Sequence, residues 1–488
     1  MRLWFQRVAC LLAASTVTAL LVSADTIVLK SGRRIQATNV VEEGGRVSYE
    51  TSAGKLSLPR SAVDHVERGN SVDMGAGDQT AAAAVTSEIS SSAPPPAVTS
   101  SDAGVIAKAV LAGGSIDRNY IEQLEVSAQN GVRGAADRVA IAHHIAAQFE
   151  LQHGDIKAAT AHYRRGLTYS PDNVGLLLNI SYLLLRQSQY GEALECLQRA
   201  ENLDPRSPDV PKFMGWAYSG QNKLDLAVAE WKKSLALRAD PEVERALAKA
   251  ERDLKEEAGY REGESSHFQV RYNGAAAPPT LVRDVLKTLE EEYGVIESTL
   301  NYTPPESIGV VLYTGQAFMD ITRAPAWAGA LNDGRIRVPV QGLKEMNPEL
   351  SRTLKHELTH SFITQKTRAR CPTWIQEGVA QWMEGASAGD SASAFLASFD
   401  HTHQTISLGS LEGAWVNLPG TDARVAYAWA LSVVEFIVKQ GGSEDITRIL
   451  DQIAAGSDAQ TATKAVIRMD YPELEAETVR YLRSTYTH

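Results

Sequence analysis

The sequence predicts a multidomain chain in three folded parts: a small N-terminal β unit, an α-helical repeat array and a C-terminal α+β domain. Three observations predict it. Short alternating apolar runs separated by Gly-containing turns fill residues 25–68, a 34-residue period governs 139–240, and strand patterns give way to helix patterns from 262 onward. A chain of 488 residues also exceeds what one hydrophobic core holds. The formal charge is -11 and no Lys/Arg-rich run is present. That balance argues against nucleic-acid binding through bulk charge.

The N-terminus reads as a secretory signal over residues 1–24. Arg2 and Arg7 precede an apolar stretch at 8–22, and Val22-Ser23-Ala24 offers a small-residue cleavage site before Asp25. The stretch is short for a membrane span and is interrupted by Ser15, Thr16 and Thr18. The expectation is a periplasmic or secreted protein with no stable span after cleavage. Cys10 leaves with the signal. Cys196 and Cys371 fall in different parts, so two free thiols are expected, with neither a disulfide nor a thiolate metal site.

Within 25–68, strands are expected at 25–29, 33–41, 46–51 and 55–58, with turns at Gly44-Gly45 and Ala53-Gly54. Residues 69–103 are rich in Ala, Ser, Thr, Gly and Pro, including Pro94-Pro95-Pro96, and read as a flexible linker. Residues 104–258 are helical. Inside them, windows at 139–172, 173–206 and 207–240 repeat a helix–turn–helix pattern. Ala159, Ala193 and Ala227 share one phase; Tyr169, Leu203 and Leu237 share another; Pro171 and Pro205 close the first two windows. Gly154-Asp155, Tyr190-Gly191 and Asn222-Lys223 are the expected turns. The pattern resembles the tetratricopeptide repeat. That resemblance implies a groove for a protein partner, while the residues alone equally suit a rigid spacer between flanking domains. A charged helix from 243 to about 257 caps the array.

The last domain spans 262–486. Strands are expected at 267–272, 307–313 and 335–340, the last after an Asn332-Asp333-Gly334 turn, with a helix at 279–300. Asn347-Pro348-Glu349 then opens a helix: Asn caps, Pro suits the first position and Glu favours the positive end of the dipole. This helix, expected to about Thr364, carries His356-Glu357-Leu358-Thr359-His360. Residues four apart lie about 40° apart on a helix, so both imidazoles face one metal ion. Glu357, about 100° round, falls outside that ligand arc and near the open coordination position.

Zinc needs a third protein ligand. Pro372 breaks the chain, Thr373 with Gln376 forms a capping box, and Glu377 falls one turn into a second helix. Sixteen residues between His360 and Glu377 let that helix fold back beside the first. Two histidines and a glutamate leave a fourth position for water, as hydrolysis requires.

The His356–His360 motif and the block Trp374-Ile375-Gln376-Glu377-Gly378 resemble the gluzincin metallopeptidases, and most closely their peptidase MA-like members. The resemblance implies a zincin-like fold for the C-terminal domain, Zn2+ as cofactor, His356, His360 and Glu377 as ligands and Glu357 as general base. The metzincin pattern fails, since Ile363 and Lys366 stand where it needs Gly and His. Gluzincins often add a downstream donor to the oxyanion; Tyr427, expected to open a later helix, is the candidate. Glu384, two turns after Glu377, is a candidate partner for a ligand histidine. His401 and His403 read as surface residues. The strand at 335–340, with Gly329 nearby, is expected to pair with substrate backbone. No aminopeptidase N-terminus-binding motif precedes the zinc helix.

The function expected is therefore an exported zinc metallopeptidase acting on a peptide or protein substrate. The alternative is a non-catalytic periplasmic repeat scaffold with a structural or relic zinc domain; retention of Glu357 argues against it. A zinc hydrolase of a non-peptide amide is a further rival.

Overall fold

The protein, seen in a computed structural model, is described over residues 25–30, 34–43, 45–51, 54–67, 102–322, 330–340, 342–392, 395–396, 406–413, 415 and 420–486. The expected signal at 1–24, nearly all of the linker at 69–103, Gly329, His401 and His403 lie outside them. The chain divides into two compact units, 1–73 and 74–488. No described helix is long and apolar enough to cross a membrane.

The first unit is an antiparallel sheet. Its strands are β1 (Asp25–Leu29), β2 (Arg34–Glu43), β3 (Arg46–Thr51), β4 (Gly54–Pro59) and β5 (Val63–Glu67), in the order β4-β3-β2-β1-β5. Alternation sends Ile27, Val40, Val47, Tyr49 and Val63 into one small core. The fifth strand goes beyond the four expected. Its alternation is broken by a bulge, where Leu29 pairs with Val63 while Val28 pairs with His65.

The second unit begins with α1 (Ala103–Val110) and α2 (Arg118–Gln129), which pack on the first repeat through Ile106, Val110, Ile121 and Leu124. Three helix pairs follow: α3 (Ala135–Gln152) with α4 (Ile156–Tyr169), α5 (Val174–Arg186) with α6 (Tyr190–Leu203), and α7 (Asp209–Gly220) with α8 (Leu224–Leu237). Each pair turns through a left-handed residue at one phase of the period: Gly154 at φ 82°, Ser188 at 56° and Asn222 at 59°. The second turn was expected at Tyr190-Gly191. Those residues open α6 instead, because Ser188 takes the conformation that glycine supplies in the first repeat. Ala159, Ala193 and Ala227 are fully buried, as small residues between crossing helices should be. The helix α9 (Pro241–Glu256) ends the array, capped by the Asp240 carboxylate on Glu242 and Val243 amides.

The C-terminal fold is α+β. Strands β6 (Arg261–Glu264), β7 (Phe268–Tyr272), β8 (Ile308–Tyr313), β9 (Leu331–Asn332) and β10 (Arg335–Pro339) form one sheet ordered β6-β7-β8-β10-β9. The three central strands are parallel and the two outer ones antiparallel. Helix α10 (Pro279–Leu300) joins β7 to β8, and α11 (Gly315–Thr322) follows β8. After the sheet come α12 (Pro348–Thr367), α13 (Thr373–Glu384), α14 (Gly420–Gly441), α15 (Ser443–Ala455), α16 (Ala459–Ile467) and α17 (Tyr471–Tyr486). The strand expected to receive substrate, β10, lies inside the sheet with β8 and β9 on its two sides. The sheet ends instead at β9, a two-residue strand too short to show a period in the sequence.

The two-residue period of a strand explains how this sheet meets the repeat array. Ile308, Val310, Leu312, Ile336 and Val338 join the main core with α10 and α12. The opposite face carries Val311, Tyr313, Arg335 and Arg337. Arg335 makes a two-pronged bond to Glu257, just past α9, with Nη1 to Oε1 at 2.8 Å and Nη2 to Oε2 at 2.7 Å. Arg337 donates to Asp253 of α9 at 2.6 Å, to Asp333 at 2.8 Å and to the Tyr313 hydroxyl at 2.7 Å. Lys249 of α9 reaches Asp333 at 2.9 Å. Lys249 is half-buried; the other charges are buried, and all are mutually paired, so the array and the sheet share one ionic interface.

Burial pushes the Glu257 carboxyl up, but Arg335, Arg337 and Arg271 together hold it below its ordinary value. Its contribution to stability is therefore present above the ordinary carboxyl pKa of 4.5 and fades as pH falls below it. Glu257→Gln leaves Arg335 without its charge partner and should cost about 3–5 kcal/mol at neutral pH. Thermal melts should show the gap from wild type narrowing on acidification; a gap independent of pH would contradict the assignment.

Candidate metal centre

The metal site is built from two helices and one close crossing. Helix α12 starts as the sequence predicts: the Asn347 side chain accepts from the Leu350 amide at 2.7 Å and Pro348 is the first helical residue. One turn separates His356 from His360, and their rings stand 4.6 Å apart and nearly perpendicular. Helix α13 starts differently from expectation. Pro372 is the cap and Thr373 the first helical residue, with no side-chain capping bond. Gln376 is engaged elsewhere, donating to the Cys371 carbonyl at 3.1 Å and accepting from Thr364 of α12 at 3.5 Å. It ties the first turn of α13 to α12 and so delivers Glu377 to the histidines.

Glu377 Oε2 lies 3.4 Å from His356 Nε2 and 3.8 Å from His360 Nε2. One donor atom from each of the three residues falls within 4.8 Å of the others, and all three side chains are buried. The residue after Glu377 is what permits this. A Cβ on Gly378 would sit 2.5 Å from the Ala430 carbonyl oxygen and 2.6 Å from Val434 Cγ2, both on α14. Only glycine lets α13 and α14 approach so closely.

The electrostatics fit a cation. His356 Nδ1 lies 3.2 Å from Glu384 Oε2 and its Nε2 faces Glu377. Burial pulls the His356 pKa down, yet these two carboxylates outweigh it and hold the ring well above its ordinary value. Burial, with the neighbouring His356 charge, pushes His360 well below. A divalent ion satisfies the same carboxylates, and two imidazole nitrogens plus a carboxylate oxygen are a donor set that suits zinc. Glu384 is where a second carboxylate can orient a ligand histidine through its other nitrogen.

Glu357 is buried on the same helix, beside His356. Its backbone carbonyl accepts from Asn332 Nδ2 at 2.7 Å, so β9 is tied to α12 at this residue. Tyr427 lies within α14 rather than opening it. Its ring packs edge-on against Trp415 at 5.0 Å, and its carbonyl accepts from Gln381 Nε2, which also bonds the Glu377 carbonyl. Tyr427 therefore sits one hydrogen-bonded residue from the backbone of Glu377. Cys196 and Cys371 are both free. Two contributors escaped the sequence reading. Asn332 looked like a turn residue, and Gly378 had no reason attached; a glycine inside a helix was the available signal for the second.

The peptidase MA superfamily profile matches residues 301–484, and a tetratricopeptide-repeat profile matches 150–210. The chain carries a peptidase MA superfamily domain and tetratricopeptide repeats. No curated protein matches. Among solved structures, the M1 zinc metallopeptidase from Deinococcus radiodurans is similar at 17% identity and a TM-score of 0.30, over 46% of this chain and 50% of that one. This chain thus spans about half the length of that structure. The MamA MSR-1 C2 structure is similar at 18% identity and a TM-score of 0.23, over 28% of this chain and 85% of that one.

Gly378→Ala should destabilise the protein by about 1–3 kcal/mol, the usual cost of overpacking a tight contact. An unchanged melting temperature would mean that α13 and α14 are not held this close.

Proposed function

We propose that this chain is an exported, periplasmic or secreted, zinc-dependent metallopeptidase that hydrolyses peptide bonds, and that its repeat array binds a protein partner. The observation that carries the reading is the buried convergence of His356 and His360 of α12 with Glu377 of α13, with Glu357 also on α12. The superfamily match over 301–484 supports it, and the N-terminal pattern of residues 1–24 supports export.

His356, His360 and Glu377 would hold the metal, and Glu384 would fix the ring of His356. Zinc in such a site supplies Lewis acidity that lowers the pKa of a water and polarises a peptide carbonyl. Glu357 takes the proton from the attacking water and passes it to the leaving amine. Tyr427 donates a hydrogen bond to the charge developing on the carbonyl oxygen. No activated Ser or Cys is required, and the free thiols take no part.

Glu357→Gln keeps the shape of the side chain and removes its basicity. Peptide hydrolysis should fall by about 10²–10⁴-fold, the usual size of a general-base contribution. Bound zinc should stay at the wild-type level. Tyr427→Phe should lower kcat more than it raises KM. Hydrolysis that persists in Glu357→Gln would remove the assignment of the base, and full kcat in Tyr427→Phe would remove that of the donor.

A further inference from the structure

The ionic interface between the repeat array and the sheet ends one residue from the strand that borders the metal helix. Asp333 accepts from Arg337 at 2.8 Å and from Lys249 of α9 at 2.9 Å. Its neighbour Asn332 is 2% exposed and belongs to β9, the last strand of the sheet. The Asn332 amide nitrogen spends both hydrogens on α12: one on the Glu357 carbonyl at 2.7 Å, one on the Ser361 hydroxyl at 2.6 Å. Its Oδ1 accepts from the Gly334 amide at 3.2 Å. The side chain is therefore satisfied at every polar atom and has one rotamer in which this holds.

We propose that Asn332 is a positioning residue: it sets the distance between the last strand of the sheet and the turn of α12 that carries Glu357, and the capping helix of the repeat array holds it in register through Asp333. The inference rests on the reading of Glu357 as the general base. Its physical content is a fixed gap. A substrate backbone paired along β9 would present its carbonyl at a distance from Glu357 that two buried hydrogen bonds define. A shift of about 1 Å in such a gap costs on the order of 100-fold in rate with little effect on binding. The repeat array then does more than hold a partner. It is part of the frame of the site.

Asn332→Ala tests this. In the full chain, kcat should fall at least tenfold with KM within about threefold, and zinc should bind about tenfold more weakly, as supporting residues around a metal site usually show. Ser361→Ala, which removes one of the two bonds and leaves that to the Glu357 carbonyl, should lower kcat by a smaller factor than Asn332→Ala does. A merely structural role predicts the opposite split: a lower melting temperature in Asn332→Ala with kcat and zinc affinity unchanged, and that result overturns the proposal. Should Asn332→Ala fail to fold, Lys249→Met reads the same coupling from the array. It leaves Arg337 as the remaining partner of Asp333 and should lower kcat about two- to fivefold; a folded Lys249→Met with wild-type kcat and zinc affinity also overturns it. If Glu357→Gln retains activity, the reading of the base fails instead, and the Asn332 zinc measurement still reports on the gap independently.

Discussion

A carboxylate buried away from water needs positive charge beside it, and this requirement shapes the C-terminal half of the chain. At the junction with the repeat array, Lys249, Asp253 and Glu257, on α9 and just past its end, meet Arg335 and Arg337 of β10 and Asp333 of the hairpin before it. At the candidate metal centre, Glu377 and Glu384 flank His356. Imidazoles are weak substitutes for a fixed charge. Two carboxylates converging on neighbouring imidazoles form a donor set that suits a cation.

The two clusters are linked by geometry. Strand β10 places Arg335 and Arg337 on the face toward α9, and the hairpin back to β9 places Asn332 against α12. The same strands that clamp the array to the sheet thus determine where the metal helix lies. Helix α12 is then held from its other side by α13, through Gln376 and Thr364, while Gly378 brings α14 against α13. The site depends on three close approaches, and each has a named residue type that permits it: an amide with two donors, an amide spanning a helix gap, and a residue with no side chain.

Much of this was legible in the sequence, for physical reasons. The 34-residue period announces helix pairs because each repeat must bury one face on the next, and Ala159, Ala193 and Ala227 mark the crossings. The helix start at Asn347-Pro348 and the pair His356 and His360 follow from local rules of capping and of 3.6 residues per turn. What stayed hidden was non-local. The turn at Ser188 carries no glycine signal, β5 is masked by a bulge, and a two-residue edge strand has no period. The pairing of Arg335 and Arg337 with carboxylates 78 and 84 residues earlier carried no local signal. Thr373 with Gln376 matched a capping box, yet packing against α12 claimed Gln376 first.

The central claim is that His356, His360 and Glu377 form one zinc site. The most direct test is the metal content of the purified full chain, wild type beside His360→Ala, after removal of loosely bound metal. The account predicts about one zinc per chain in the wild type, as a set of three protein ligands with an open fourth position holds, and its loss in a folded His360→Ala. Equal zinc in both proteins, or none in either after reloading, would contradict it.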